Sequence, residues 1–199
     1  MLDAEFVAAI CAHPYDSDVY AVYGDWLQTQ GDPRGELIAL QGAALRDPGD
    51  SKLGARIDRF MKDHADALVV DLGKHVTLVW HLGFIRDVVF GLPKKGPVNA
   101  FGGLRTLLLH PSGRFVQSIS IAQSPDLEAS TIVQLLKTEK RPQTLSELRI
   151  GRDFDPKPLA DVFPRLNQSI DDEWRRIVGV VEEQRKVTIK FDPATLPHL

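Results

Sequence analysis

The sequence predicts an α/β fold in which a small N-terminal helical bundle packs on a short solenoid of strand and helix repeats with parallel strands. Two observations lead to this prediction. Apolar residues recur at helical spacing through residues 1–70. Beyond residue 70 the period changes, and three short segments rich in β-branched and apolar residues share an apolar triplet whose starts lie 31 and 29 residues apart. The predicted domains are therefore a helical domain over residues 1–70 and a repeat domain over residues 71–199.

The composition indicates a folded protein that needs no disulfide and no cysteine-based zinc site. A chain of 199 residues with 43% hydrophobic residues can bury a core of ordinary size. The net charge of -3 argues against nucleic acid as a partner, because phosphate backbones attract a basic excess. The lone cysteine, Cys11, excludes an intramolecular disulfide and a cysteine-based zinc site, which indicates a reducing compartment.

The N-terminus and the hydropathy of the chain predict a cytoplasmic protein. Residues 1–14 carry two acids and no Lys or Arg, which is the wrong charge for a secretory signal. No apolar run approaches the ~20 residues that a membrane-spanning helix needs. We therefore expect no membrane partner.

Four helices are expected in the N-terminal domain. The first covers residues 2–12 with Asp3 as N-cap, the second follows Ser17 as N-cap, the third begins after residue 32, and the fourth runs from Ser51. The residues expected to face inward are the apolar positions at helical spacing together with one histidine: Leu2, Phe6, Val7, Ile10 and Cys11; Val19, Val22, Tyr23, Trp26 and Leu27; Leu37, Ile38, Leu40 and Leu45; Leu53, Ile57, Phe60, Met61, His64 and Leu68.

The stretch YGDWLQTQGDPRGELIALQ, residues 23–41, is interpreted as a corner between the second and third helices. Gly31 suits the left-handed residue that ends a helix, Asp32 suits an N-cap, and Pro33 suits the first helical position. Asp25 and Asp32 could alternatively form a carboxylate pair for acid–base chemistry, but no histidine lies nearby. Aspartate is ordinary at helix ends, so the corner is preferred.

Three segments, GFIRDVVFG, RFVQSISIA and TLSELRIGR, are predicted to be strands. They share a triplet of apolar positions: Ile85, Val88 and Phe90; Val116, Ile119 and Ile121; Leu145, Leu148 and Ile150. The segments between them have helix-like spacing. For residues 104–109 a helix is preferred, and the alternative is a further triplet followed by a hairpin turn at HPSGR. His110, which precedes Pro111, is expected to be a turn residue.

Stacking of such units explains why a solenoid is expected. Each strand and each helix has one apolar side that a single repeat cannot cover, so neighbouring repeats complete the core and the strands run parallel. Beyond residue 152 the pattern decays. Residues 171–186 are predicted to form a helix and residues 187–191 a last strand, together an atypical C-terminal cap.

The quoted motifs carry a resemblance to a known family. Residues 6–41, with a helix ending in AHP, then YGDWL, then GDPRGELIALQ, resemble the short bacterial repeat-companion domain that precedes leucine-rich-repeat segments. Residues 80–155 resemble the irregular leucine-rich repeats that follow it. The resemblance implies a helical module joined to a short leucine-rich-repeat-like solenoid with a binding role, and it supplies no catalytic residues. The chain departs from this pattern after residue 155.

No motif for catalysis, nucleotide binding or metal binding is present. The six histidines never form H-x-x-H or H-E-x-x-H, and His75 and His81 are the nearest to a metal pair. Neither a phosphate-binding glycine loop nor a serine nucleophile elbow occurs. Arg34 and Glu36 are interpreted as a local ion pair or a contact to the first repeat, and the basic clusters, which acids interrupt, as solvated helix faces. We expect no metal and no cofactor.

The predicted binding residues lie between the apolar positions of each strand, where side chains face the concave surface of a solenoid. They are Asp87, Val89, Ser118, Ser120, Glu147 and Arg149. Such a mixed, shallow stripe suits a protein partner better than a small molecule.

Three classes of function follow from these predictions. The leading hypothesis is a non-enzymatic protein–protein interaction module, an adaptor or scaffold that uses this stripe or the helical bundle. The second is an accessory or regulatory subunit of an enzyme, docked through residues 171–199. The third is a hydrolase or transferase with a non-standard site near Asp25, Arg34 and His81.

Overall fold

The computed structural model of the chain describes residues 3–69, 72, 76–91, 100–121, 142–150 and 187–190. Within these ranges the helices are α1 Asp3–Ala12, α2 Ser17–Thr29, α3 Pro33–Arg46, α4 Ser51–Asp63, α5 Ala65–Leu68 and α6 Ala100–Leu109. The strands are β1 Val76–His81, β2 Phe84–Phe90, β3 Ser118–Ile121, β4 Glu147–Ile150 and β5 Val187–Lys190.

The described strands form one mixed sheet in the order β1-β2-β3-β4-β5. The three strands predicted from the triplets, β2, β3 and β4, pair in parallel. Antiparallel strands close both sides of this parallel group, with β1 on β2 and β5 on β4. Helices and a sheet in one chain agree with the predicted α/β class.

The boundaries of the N-terminal helices follow from local capping chemistry. Gly31 takes a φ of 71°, and the Asp32 carboxylate accepts a hydrogen bond from the Arg34 N–H, which confirms the predicted corner. Asp16, and not Ser17, caps α2 by accepting from the Asp18 N–H. The N-cap prediction for Asp3 is also wrong, because Asp3 is the first residue of α1 itself.

The inward face of α2 differs from the prediction by about one residue. Tyr20 is 1% exposed and Val22 is 54% exposed, whereas the spacing placed Val22 inside. Helix α2 turns its Tyr20, Tyr23 and Leu27 side toward the core because aromatic rings there find aromatic partners. Two further inward predictions are wrong, since Leu45 and His64 are exposed.

One hydrophobic core joins the helices to the sheet. Its buried members come from α1, α2, α3, the β1–β2 hairpin and the segment before β3: Phe6, Ile10, Tyr20, Tyr23, Leu27, Ile38, Leu82, Phe84 and Phe115. The rings of Phe84 and Phe115 meet edge to face at 4.7 Å. The two predicted domains therefore share a core at their junction.

The hairpin between β1 and β2 locks onto α3. Its two turn residues, Leu82 and Gly83, have φ of 44° and 81°, as in the primed turns that match the twist of a two-residue hairpin. The Gly83 N–H donates to the Gln41 side-chain oxygen at 2.8 Å. A Cβ on Gly83 would lie 2.6 Å from Ile38 Cγ1, so the close approach also requires glycine.

The segment between β2 and β3 resolves the alternative for residues 104–109. They belong to α6, which confirms the preferred helix, and the hairpin alternative at HPSGR is wrong because Pro111–Gly113 forms a 3₁₀ turn. The His110 Nδ1 accepts from the Ser112 N–H, so His110 is a turn residue as predicted. Ser112 in turn donates to the Leu68 carbonyl at 2.9 Å. The predicted C-terminal helix, residues 171–186, lies outside the described residues.

Candidate functional site

The six predicted binding residues lie in two rows across the three parallel strands. The strand register aligns Asp87 with Ser118 and Ser118 with Glu147. It also aligns Val89 with Ser120 and Ser120 with Arg149. Because side chains two residues apart share one face of a strand, both rows belong to one face of the sheet.

Burial separates most of the described residues of these rows from the apolar positions, although Ser118 is buried. Val88 and Ile119, which lie between the rows on their strands, are fully buried, whereas Val89 is 40% exposed. Every described apolar position of the triplets is likewise buried. The predicted alternation is therefore present at the end of β2, where Val89 is exposed between buried Val88 and Phe90. On β3, by contrast, Ser118 is buried and only Ser120 is partly exposed.

Strand β1 extends the same face by one strand. Val79 aligns with Asp87 and Thr77 with Val89, and both β1 residues are exposed. We call the six predicted residues together with Thr77 and Val79 the strand face. Across β1 to β4 it spans roughly 14 Å at the usual strand spacing. The sequence interpretation missed Thr77 and Val79 because it did not recognise β1, although the alternation in VTLVW was a usable signal.

The strand face is shallow and chemically mixed. Val79 and Val89 supply apolar surface. Ser118, which is 9% exposed, lies on β3 between Asp87 of β2 and Glu147 of β4. The Asp87 carboxylate pairs with Arg86 Nε at 2.8 Å, and both side chains retain contact with solvent. Such an exposed pair contributes little to stability, so both charges remain able to meet a partner.

A hydrogen-bonded junction holds the N-terminal ends of these strands against the helices. The Gln117 N–H donates to the Arg86 carbonyl at 2.8 Å, and the Gln117 carbonyl accepts from the Ser146 N–H at 2.9 Å. The Gln117 side chain donates to the Pro14 carbonyl in the turn between α1 and α2. In that turn Tyr15 is 77% exposed. An exposed aromatic ring near the end of a binding face is a common anchor for protein contacts, and the sequence interpretation did not single it out.

A three-residue polar cluster ties α1 and α2 to the segment before β3. The Asp3 carboxylate accepts from the Tyr23 hydroxyl at 2.6 Å and from Arg114 Nη1 at 2.9 Å. Arg114 Nη1 also donates to the Tyr23 oxygen at 2.8 Å. Burial opposes ionisation of Asp3, but the hydrogen bonds from Tyr23 and Arg114 and the charge of Arg114 outweigh it and lower the pKa of Asp3.

Substitution Asp3→Asn should therefore cost stability in a pH-dependent way. We expect the free energy of unfolding at neutral pH to fall by about 1 kcal/mol, since the cluster is partly exposed and screened by solvent. The folded-state pKa is depressed, so this contribution is present above about pH 4 and is lost as the pH falls through the folded-state value. Urea unfolding across that range is the measurement, with exposed Asp58→Asn as control. A constant difference at every pH would contradict the role of the Asp3 charge.

The residues considered for an enzyme do not converge among the described residues. A groove of about 210 Å³ is lined by Gln41, Ala44, Leu45, Ile57, Trp80, His81 and Leu82. Asp25 is an exposed residue of α2, and Arg34 pairs with Asp32 at the start of α3, so neither lines this groove. The predicted constellation of Asp25, Arg34 and His81 is thus not assembled in it.

Two groups of the kinds used as base and nucleophile, His81 and Cys11, have shifted pKa values. Burial lowers the pKa of His81 and the Arg86 charge lowers it further, while Asp87 opposes them. Burial raises the pKa of the Cys11 thiol to about 11, although the Arg114 charge opposes it, so the reactive thiolate is scarce at neutral pH. Arg34 is partly buried, and its Nη1 has no hydrogen-bond partner among the described residues.

Within the described ranges, no group of three or more His, Cys, Asp or Glu side chains is arranged to hold a metal ion. His75, the proposed partner of His81, lies outside those ranges. No described helix has the length and apolar character needed to cross a membrane.

Searches of known protein families, curated proteins and solved structures find no match to the chain.

Proposed function

We propose that the protein is a non-enzymatic protein–protein interaction module, an adaptor or scaffold that recognises a protein partner through the strand face. One observation carries this proposal: the residues between the buried positions form two in-register rows on one side of the sheet. A broad, shallow surface that mixes apolar, hydroxyl and charged groups suits a protein, whereas small molecules favour concave and mainly apolar sites.

The proposal includes an architecture and a location. Parallel pairing of β2, β3 and β4, whose apolar triplets start 31 and 29 residues apart in the sequence, supports a short leucine-rich-repeat-like solenoid over residues 71–199. The helices of residues 1–70 support a bacterial repeat-companion-like module that caps its first repeat. The lone Cys11 supports a reducing, cytoplasmic location.

Affinity purification from the native lysate with mass spectrometry tests the proposal. The test variant replaces Asp87, Glu147 and Arg149 with alanine. The control replaces Asp58, Asp63 and Arg56, exposed residues of α4, so that the same two acids and one arginine are removed elsewhere. We expect a partner that the wild type and the control capture equally and that the strand-face variant loses by at least ~10-fold, since charged contacts at an interface each contribute substantially.

Other outcomes separate the alternatives. A partner that the strand-face variant retains, but that deletion of residues 171–199 abolishes, would favour the accessory subunit docked through its C-terminus. A partner lost only on substitution of exposed Tyr15 would move recognition to the turn between α1 and α2. Turnover of a substrate by the purified protein would overturn the non-enzymatic proposal.

A further inference from the structure

Strand β1 lies at the edge of the sheet, and apart from a shift of its register with β2 between Val79 and Trp80 it has none of the usual protection of an edge among the described residues. It is the outermost strand, and among the described residues no backbone group of Val76–His81 bonds to a chain segment on its outer side. Residues 76–80, VTLVW, include no charge and no proline. Natural proteins protect such edges with lysine, proline, short strands or covering segments, because unpaired strands recruit further strands. The opposite edge strand, β5, contains Lys190.

The apolar side chains of β1 are also incompletely covered. Val76, Leu78 and Trp80 alternate along the core side of the strand and are only partly buried, and Val79 on the other side is 38% exposed. Trp80 borders the open groove between the hairpin and helices α3 and α4, where Leu45 is 58% exposed. A strand added to this edge would cover apolar surface as well as satisfy backbone groups.

The strand is complementary to itself. If a second β1 runs antiparallel with Leu78 opposite Leu78, then Val76 lies opposite Trp80 and Thr77 lies opposite Val79. Every one of these pairs joins side chains on the same face, which an antiparallel register requires. Val76 of each copy then lies next to Trp80 of the other copy, beside the groove that this Trp80 lines. No two residues of like charge lie opposite each other in these pairs.

We propose that the chain forms a two-fold symmetric dimer by pairing β1 with β1 of a second copy, so that two five-stranded sheets become one of ten strands. A two-fold axis perpendicular to the sheet relates the copies, as isologous dimers require. Both strand faces then lie on the same side of the assembly. The dimer does not depend on the proposed recognition function, but it would offer a partner two adjacent faces.

Sedimentation equilibrium of the full chain over about 1–300 µM tests the dimer, a range suited to an interface of modest area. Two variants change only exposed residues of β1. Thr77→Lys with Val79→Lys places lysine opposite lysine twice in the predicted register, and Thr77→Glu with Val79→Lys places glutamate opposite lysine twice. Ala21→Lys with Val22→Lys is the matched control on exposed positions of α2.

We expect a reversible dimer for the wild type and the control, at least ~10-fold weaker association for the double lysine variant, and recovery in the Glu/Lys variant, which also shows that the strand still folds. A wild type that stays monomeric over the whole range would overturn the proposal. A dimer that the double lysine variant leaves unchanged would do the same. A wild type that dimerises but captures no partner would count against the proposed function alone.

Discussion

Replacing Gly35 with alanine is expected to lower the free energy of unfolding by about 2–3 kcal/mol, the range for overpacking a tight contact. Helices α2 and α3 lie close together here. A Cβ on Gly35 would lie 2.5 Å from the Gly24 carbonyl oxygen and 2.7 Å from the Gln28 backbone nitrogen. Both obstacles are backbone atoms, so no side-chain rotation can relieve the clash. Moving the two helices apart to relieve the clash would also strain the hydrogen bond that the Gln28 side chain donates to the Gly35 carbonyl.

Gly54→Ala is the matched control for Gly35→Ala. Gly54 also lies within a helix, but no described atom outside that helix's own backbone lies within 4 Å of the place that an added Cβ would take. Alanine has the higher helix propensity, so this variant should gain about 0.5–1 kcal/mol. Urea unfolding followed by circular dichroism measures both changes. If the urea midpoints of Gly35→Ala and Gly54→Ala shifted in the same direction, the contact between α2 and α3 at Gly35 would be looser than the geometry indicates.

Phe115→Ala should have the larger effect, a loss of about 3–5 kcal/mol, because it empties a fully enclosed aromatic site. Phe115 is 2% exposed and contacts Phe84 at 4.7 Å, with Tyr20 and Tyr23 at 6.0 and 6.3 Å between ring centroids. Leu109→Ala is the control, since Leu109 is 49% exposed on α6 and should lose less than about 1 kcal/mol.

The position of Phe115 also predicts that Phe115→Ala destabilises the helices and the sheet together. Phe115 precedes β3, while Tyr20 and Tyr23 belong to α2, so the cavity would weaken both parts of the chain together. We expect helical circular dichroism and tryptophan fluorescence to report one shared transition, shifted as a whole in the variant. A helical transition that stays at the wild-type midpoint would instead show that residues 1–70 unfold independently.

Features determined by neighbouring residues could be predicted from the sequence. The corner at Gly31, Asp32 and Pro33 depends on backbone conformation and capping within a few residues, and the structure confirms it. The strand triplets are similar, since burial of alternate positions follows from strand geometry. Recognition of the repeat spacing was sufficient to place the two rows of predicted binding residues on shared faces.

Features determined by distant partners could not be predicted in this way. The turn of the β1–β2 hairpin contains Leu82 at positive φ, which no local preference indicates, and it is held by α3 through Gln41. The choice of Tyr20 over Val22 for the core depends on rings contributed by Phe84 and Phe115, far along the chain. Helical spacing alone does not show whether the stripe of α2 that contains Tyr20 or the adjacent one that contains Val22 faces the core.

The antiparallel strands on both sides of β2, β3 and β4 have a consequence for how this sheet can change in evolution. A duplicated unit of one strand and its connection extends a sheet in the parallel sense, but both ends of the parallel group are already occupied by strands of opposite direction. A gene duplication that lengthens this protein is therefore accommodated most simply inside the group, between β3 and β4, because the segment before β3 packs on the helices through Phe115. Such an insertion would move the helical N-terminus and the C-terminal strand further apart while leaving the packing of each unchanged.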